Sequence, residues 1–292
     1  MRGSIVAIVT PMREDGAIDF KALDALVEWH IREGTDAIVA MGTTGESATL
    51  DREEHLEVIR RIIGTVAHRV PVIAGTGANS TREAIDLTAE AKRAGADASL
   101  SVTPYYNRPP QEGLFRHFKA IAEAVDLPMI LYNVPSRTGC DMLPETVARL
   151  AQVPNIVGVK EASGKLVRIQ ALLDLHLRDF AVYSGDDSTA CESTLMGGSG
   201  DVSVVANVAP RLVHEMCTAA LKGDRAGALA LDAKLRGLHK NLFLQANPIP
   251  VKWALAELGR MPRGIRLPLV PLDRSYHQDV RDALAQAEVV PA

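Results

Sequence analysis

Short apolar runs recur along the chain, and segments with helical periodicity separate them. Most runs are almost continuously apolar, which is typical of strands buried on both faces. There are eight of them, at residues 4–10, 36–42, 70–76, 97–103, 127–133, 156–161, 180–186 and 201–207. A repeated strand–helix order predicts a parallel sheet.

Two parallel architectures are compatible with this order, an open doubly wound sheet and a closed (β/α)8 barrel. Eight strand–helix units within about 220 residues favour the barrel. Residues 1–223 are therefore predicted to form an α/β domain, a (β/α)8 TIM barrel whose last helix spans 211–221. Residues 224–292 remain helical in pattern, and we expect them to form a C-terminal helical extension packed on the barrel.

Several helix starts carry recognisable signals. Asp51 precedes Glu54 by three residues, and Ser80 precedes Glu83 by the same spacing. This spacing predicts two capping boxes, in which each member of the pair bonds the backbone N–H of the other. Pro144 fits the first position of another helix.

Composition excludes several classes of protein. Of the 292 residues 47% are hydrophobic, and the net charge of -4 is spread over both signs, so no nucleic-acid partner is expected. No run of 18 apolar residues and no signal-peptide pattern occur, so we expect no membrane association.

Three scattered cysteines, Cys140, Cys191 and Cys217, predict reduced thiols and a cytoplasmic protein. The eight histidines lack metal-ligand spacing, so neither a metal nor another cofactor is expected.

Lys160 ends the sixth apolar run, directly after Ile156, Val157, Gly158 and Val159. An ammonium at the tip of a buried strand is costly unless it is paired or neutralised. A desolvated lysine can lose its proton and attack a carbonyl to form a Schiff base. The alternative is an ordinary strand-end lysine that reaches solvent or pairs with Glu161.

The other strand ends favour the catalytic interpretation, because catalytic residues of a barrel lie at the carboxyl ends of its strands. The second run leads into Gly42-Thr43-Thr44-Gly45-Glu46-Ser47, whose backbone and hydroxyl donors suit a carboxylate, although an ordinary turn has a similar composition. Three of the five tyrosines and one arginine fall at the same rim: Tyr105, Tyr106, Tyr132 and Arg137. An amine, phenols, a carboxylate cradle and a guanidinium together predict an active site around Lys160.

Six motifs in a fixed order carry a resemblance to a known family. They are Gly42-Thr43-Thr44-Gly45-Glu46-Ser47, Val102-Thr103-Pro104-Tyr105-Tyr106-Asn107, Tyr132-Asn133-Val134-Pro135-Ser136-Arg137-Thr138-Gly139, Gly158-Val159-Lys160-Glu161-Ala162, Ser184-Gly185-Asp186-Asp187 and Asn247-Pro248-Ile249-Pro250-Val251-Lys252. With them, the chain resembles the dihydrodipicolinate synthase family of pyruvate-dependent class I aldolases, to whose superfamily N-acetylneuraminate lyase also belongs. The motifs span nearly the whole chain.

The resemblance implies condensation of pyruvate with L-aspartate-4-semialdehyde in lysine and diaminopimelate biosynthesis. It implies that Lys160 forms the Schiff base and that Tyr132, Thr43 and Tyr106 form a proton relay. Four further positions would bind substrate: Thr44, Arg137, Gly185 and Val202. For Val202 a place in the barrel core is an equally good interpretation.

The resemblance also implies self-association, as a homotetramer built from tight dimers in which Tyr106 crosses to the neighbouring subunit. Free L-lysine is a possible effector, and the matching positions are Ser47, Ala48, Arg52, His55, Asn79, Glu83 and Tyr105. Arg52 stands where lysine-sensitive bacterial members often have histidine, which predicts weak, partial inhibition. Glu83 could instead serve only as the capping partner of Ser80.

The sequence leaves two other functions open. A related aldolase that cleaves a 2-keto-3-deoxy acid or N-acetylneuraminate would share Lys160 and Tyr132, but the arginine at Arg137 argues against it. A barrel that binds a metabolite without turnover would have no need for a hydroxyl relay around an amine, and the presence of Thr43 argues against that function.

Overall fold

A computed structural model describes residues 1–289 and confirms the closed barrel. Eight strands pair in sequence order, every neighbouring pair is parallel, and β8 closes onto β1. The strands are β1 (Gly3–Ala7), β2 (Ala37–Ala40), β3 (Val72–Gly75), β4 (Ala98–Val102), β5 (Met129–Asn133), β6 (Ile156–Glu161), β7 (Ala181–Ser184) and β8 (Gly200–Ser203).

Helices follow the strands and cover the outside of the barrel. Those of the barrel part are α1 (Phe20–Arg32), α2 (Arg52–Val66), α3 (Thr81–Ala94), α4 (Gln111–Ala124), α5 (Pro135–Thr138), α6 (Pro144–Leu150), α7 (Leu166–Leu173), α8 (Asp187–Leu195) and α9 (Pro210–Leu221). The chain continues into α10 (Arg225–Asn241), α11 (Ile249–Glu257) and α12 (His277–Gln286).

Most strands end earlier than the apolar runs predict. At β1 and β8 the reason is that side chains take hydrogen bonds that the ladder would need. The run at 201–207 stops as a strand at Ser203, and Val205–Asn207 forms a 3-10 turn. Asn207 explains the early end of β1 as well. Its Oδ1 accepts from the N–H of Val9 at 3.0 Å, and its Nδ2 donates to the carbonyl of Ala7 at 2.8 Å.

Of the two predicted capping boxes, one is complete and the other is half formed. Asp51 and Glu54 form a complete box at the start of α2. At the start of α3, Ser80 Oγ accepts from the N–H of Glu83 at 3.4 Å. The reciprocal bond from the Glu83 carboxylate is absent from the described residues, so this box is only half formed and the carboxylate is left for other contacts.

The C-terminal helices share a hydrophobic core with the barrel helices. Leu235 and Leu238 of α10 and Val251 of α11 lie in one buried cluster with Val213 and Met216 of α9. Division of the chain between 1–223 and 224–292 remains a prediction. Helix α11 begins beside the carboxyl ends of the barrel strands, where Asn247 contacts Thr44.

Candidate active site

Lys160 and Tyr132 face each other across neighbouring strands. They are paired in register on β6 and β5, and Lys160 Nζ lies 4.4 Å from the centroid of the Tyr132 ring. Both side chains are buried, with 6% of Lys160 exposed. A primary amine and a phenol therefore share one small, water-poor space at the carboxyl ends of the strands.

Gly185 gives the lysine its room. A Cβ atom at position 185 would lie 2.6 Å from Lys160 Cε and 2.8 Å from Lys160 Cγ. Real Cβ atoms do not approach other carbons this closely, so any larger residue would displace the lysine stem. Glycine at position 185 is therefore required by the position of the Lys160 stem, and its role in substrate binding stays a prediction.

Thr43 and Thr44 lie in a 3-10 turn, Thr43–Gly45, that leaves the end of β2. The side chain of Thr10 braces this turn, because its hydroxyl donates to the Gly45 carbonyl at 2.7 Å. Thr44 is buried, and its Oγ1 accepts a hydrogen bond from Asn247 Nδ2 at 2.9 Å. Contacts from distant parts of the chain therefore hold the Thr44 hydroxyl and the turn that carries both threonines at the rim.

A buried ion pair anchors the residue that follows this turn. Glu46 adopts a left-handed conformation with φ 60°, and its carboxylate pairs with the ammonium of Lys252 on α11. No other ion pair among residues 1–289 has both side chains buried so deeply. Burial lowers the pKa of Lys252, while the charge and hydrogen bond of Glu46 oppose that shift. Removing either partner would leave a charge unpaired in the interior, which is costly.

Arg137 enters the site from α5, the short helix after β5. Its Nη2 donates to the backbone carbonyl of Asn247 at 3.2 Å. The loop that carries it is tied to the strand by Asn133, whose Oδ1 accepts from the N–H of Met142 at 2.9 Å. The guanidinium is thus held by the C-terminal extension, and the segment that follows α5 is tied to β5.

A cavity of about 190 Å3 brings most of the predicted site residues together. Its walls include six of them: Thr43, Thr44, Tyr132, Arg137, Lys160 and Gly185. Val202 lies outside these walls, buried in the apolar cluster inside the barrel. Asp186, Phe243 and Asn247 also line the cavity. The sequence predicts no role for them, although Asp186 and Asn247 lie in two of the six motifs.

Tyr106 stands apart from the cavity. Its side chain is 91% exposed, and its backbone is left-handed with φ 71°. The loop is held in place because Asn79 Nδ2 donates to the Tyr105 carbonyl at 3.3 Å and Asn107 Nδ2 donates to the Asn79 carbonyl at 2.9 Å. An exposed tyrosine on a braced loop cannot contribute to the cavity of its own chain without moving.

A second cavity, of about 360 Å3, adjoins the first. Six of the seven predicted effector positions line it: Ser47, Ala48, Arg52, His55, Glu83 and Tyr105. Asn79, the seventh, does not line it but donates to the Tyr105 carbonyl. Burial lowers the pKa of His55, against the opposing influence of its bond to the Gly75 carbonyl and the charge of Glu83. Thr43 and Arg137 line both cavities.

Two buried carboxyl groups lie behind the β8 end of the site. The Asp187 carboxylate accepts from the Ser203 hydroxyl and from the N–H of Val204 at 3.0 Å. Asp201 is fully buried, and neither of its oxygens has a donor among residues 1–289. Burial, followed by the negative charge of Asp187, raises the pKa of Asp201 well above its usual range.

The described part of the chain holds no group of three or more His, Cys, Asp or Glu side chains that could bind a metal ion. Between residues 1 and 289, no helix has the length and apolarity needed to cross a membrane. Cys140, Cys191 and Cys217 are buried thiols outside any disulfide.

Comparison with known proteins decides the family. The model described as the dihydrodipicolinate synthetase family matches residues 1–287. The chain belongs to this family. A protein of Methylococcus capsulatus named 4-hydroxy-tetrahydrodipicolinate synthase is 63% identical over 290 residues, which cover 99% of this chain and 100% of the relative.

Solved structures of the family share the same fold. A chloride-inhibited dihydrodipicolinate synthase from Acinetobacter baumannii, complexed with pyruvate, superposes with a TM-score of 0.98 at 57% identity and covers 99% of each chain. The enzyme of Cyanidioschyzon merolae with lysine bound gives a TM-score of 0.95 at 41% identity, also over 99% of each chain. The resemblance carried by the six sequence motifs is confirmed.

Proposed function

We propose that this family member condenses pyruvate with L-aspartate-4-semialdehyde to give 4-hydroxy-2,3,4,5-tetrahydrodipicolinate. It is a lyase of the class I aldolase type that serves the diaminopimelate route to lysine. The observation that carries the proposal is the single cavity in which Lys160, Tyr132, the two threonines and Arg137 meet. Relatives with the synthase name match the chain from end to end.

The reaction begins at the Lys160 amine. The neutral amine attacks the pyruvate ketone, and loss of water leaves an iminium between Nζ and the former carbonyl carbon. The iminium withdraws electrons, so a methyl proton departs and an enamine forms. Its carbon attacks the aldehyde of the second substrate and makes the new carbon–carbon bond. The amino group of that substrate then adds to the imine carbon, closes the ring and expels Lys160.

Hydroxyl groups supply and remove the protons in this sequence. Tyr132 lies against the amine and Thr43 lines the same cavity. Positioned proton transfer contributes about 10²- to 10⁴-fold in rate. Tyr106 completes the relay from a neighbouring subunit, which agrees with its exposed place outside the cavity of its own chain. A tight dimer is then the smallest active unit, and a homotetramer of such dimers in the cytoplasm is the form we propose.

Two groups bind the substrate carboxylates. Thr44, with the backbone donors of its turn, takes the carboxylate of pyruvate. Arg137 takes the carboxylate of the semialdehyde through a bidentate pair, which a lysine could not reproduce. Gly185 contributes to the pyruvate site by leaving room for the lysine stem, whereas Val202, buried in the apolar cluster inside the barrel, fits the alternative interpretation as a core residue. L-lysine binds the adjoining cavity as an effector. The relative from Cyanidioschyzon merolae with lysine bound supports this assignment.

Borohydride trapping tests the proposal. Reduction in the presence of pyruvate converts the iminium to a stable amine, so Lys160 gains the mass of the reduced pyruvate adduct in a tryptic peptide. Product analysis with aspartate semialdehyde then separates the synthase from an aldolase of 2-keto-3-deoxy acids or N-acetylneuraminate. If no adduct forms on Lys160, the synthase activity and both alternative aldolase activities are excluded together.

A further inference from the structure

Asn247 belongs to the C-terminal extension, yet it forms part of the wall of the catalytic cavity. Only 6% of the residue is exposed. It precedes α11, and the Glu46–Lys252 ion pair clamps that helix to the chain just after the Thr43–Gly45 turn. The Glu46–Lys252 pair therefore also fixes the position of Asn247 relative to the Thr43–Gly45 turn.

Two different groups of Asn247 contact two different site residues. Its side-chain Nδ2 donates to Thr44 Oγ1 at 2.9 Å. Its backbone carbonyl accepts from Arg137 Nη2 at 3.2 Å. We propose that Asn247 is a positioning residue that serves the two carboxylate sites separately, orienting Thr44 through its amide and Arg137 through its carbonyl. This inference rests on the proposed function, which makes Thr44 and Arg137 the binders of the two substrates.

The amide contact determines what Thr44 can do. A hydroxyl has one proton to donate and two lone pairs to accept with. Once Asn247 occupies a lone pair of Oγ1, the hydroxyl proton points elsewhere and is available to a carboxylate. Within the described residues Thr44 Oγ1 makes no other side-chain hydrogen bond, so nothing competes with the substrate for that proton.

The remaining atom of the amide argues against a purely structural role. Asn247 Oδ1 is buried and has no donor among residues 1–289. A buried acceptor without a donor costs stability, and an apolar side chain at this position would avoid that cost. The amide is therefore best explained by the one bond it makes, to Thr44.

The separation of roles predicts an asymmetric effect of substitution. Asn247→Ala removes the amide and keeps the backbone carbonyl. The pyruvate concentration that half-saturates borohydride trapping should rise roughly three- to tenfold, the effect of one neutral hydrogen bond. The KM for aspartate semialdehyde should stay within about twofold, because the contact to Arg137 remains.

A double-mutant cycle with Thr44→Val provides the decisive test. If Asn247 acts through Thr44, adding Asn247→Ala to Thr44→Val should change half-saturation by less than about twofold, since the interaction is already gone. Asn247→Ser serves as a second, smaller change if the alanine variant folds poorly. Asn155→Ala is the matched control, because Asn155 bonds backbone carbonyls far from the cavity and should affect melting temperature alone.

The outcomes are distinguishable. Additive effects of Asn247→Ala and Thr44→Val, or equal rises for both substrates, would overturn the positioning role while leaving the proposed function intact. Absence of any pyruvate adduct in the wild-type protein would remove the proposed function, and this inference with it.

Discussion

Lys160 Nζ lies 4.4 Å from the centroid of the Tyr132 ring, and the two residues are register partners on adjacent strands. Because both sit on rigid β-strands, their separation is set by the strand pairing of the barrel and not by a loop. The amine is thus positioned over the ring before any substrate arrives. Catalysis needs such preorganisation, since side chains held in place lose less entropy when the reaction begins.

Replacing the amine should abolish the chemistry without unfolding the barrel. We expect Lys160→Arg to lose nearly all activity and all pyruvate-dependent borohydride trapping, because arginine stays protonated and cannot act as a nucleophile. Mass spectrometry and a thermal melt measure the two effects. Lys165→Arg, at an exposed lysine five positions further along the chain, is the control and should behave as wild type. Retained trapping in Lys160→Arg would disprove the Schiff-base assignment.

Arg137→Ala should separate the two substrates. Loss of a charge-assisted hydrogen bond costs about 1.5–3 kcal/mol, so the KM for aspartate semialdehyde should rise roughly ten- to hundredfold. The KM for pyruvate should change far less. Steady-state kinetics with each substrate varied in turn measure the split, and Arg178→Ala, at a side chain 95% exposed, is the control. Equal rises would show that Arg137 shapes the whole cavity.

Tyr106→Phe should lower turnover, and its effect should depend on the neighbouring subunit. Mixing Tyr106→Phe with Lys160→Arg protein, followed by subunit exchange, should restore part of the activity, because some sites then combine an intact lysine with an intact tyrosine from the other chain. Activity of the mixture is compared with that of each variant alone. A mixture whose activity does not exceed the residual activity of the Tyr106→Phe protein that it contains would place the tyrosine in the site of its own chain.

The sequence alone was enough to predict the barrel and the rim that carries Lys160, Tyr132 and Thr43. Those predictions rest on local periodicity and on the rule that strands of a parallel barrel present their carboxyl ends together. The contacts of Asn247 and Lys252 could not be predicted in this way. Asn247 is 203 positions from Thr44, and Lys252 is 206 positions from Glu46, and no periodic pattern links segments so far apart.

β1 and β8 were predicted too long for a similar reason. Hydrophobicity continues past Ser203 and Ala7, but the side chains of Asp187 and Asn207 take the hydrogen bonds that a ladder would need. Such bonds depend on tertiary proximity. The exposed position of Tyr106 also has no local signal, since the neighbouring residues do not distinguish a buried tyrosine from an exposed one.

L-lysine should bind the larger cavity at millimolar concentration and inhibit partially. The Glu83 carboxylate, free of a reciprocal capping bond, can pair with an ammonium of the ligand, while the Arg52 guanidinium repels it. Calorimetric titration should show binding that weakens at least roughly tenfold in Glu83→Ala, as expected for a lost charged hydrogen bond. Glu53→Ala, at an exposed glutamate of α2, is the control. Binding unchanged in Glu83→Ala would place the effector elsewhere.

Asp201→Asn should stabilise the protein above neutral pH. Because burial and Asp187 raise the pKa of Asp201 above its value of 3.8 in the unfolded chain, the folded state binds this proton more tightly than the unfolded state does. The stability that this proton contributes is therefore fully present below about pH 3.8. It falls by about 1.4 kcal/mol for each pH unit as the pH rises towards the folded-state pKa.

Asparagine at position 201 has the same shape as aspartate, carries no charge and can donate to Asp187. The melting temperature of Asp201→Asn should exceed that of wild type at pH 8, and the difference should shrink towards pH 4. Asp126→Asn, at a side chain 97% exposed, should not reproduce the effect. A melting temperature unchanged or lowered at pH 8 in Asp201→Asn would show that the buried carboxyl is not held neutral at a cost to folding.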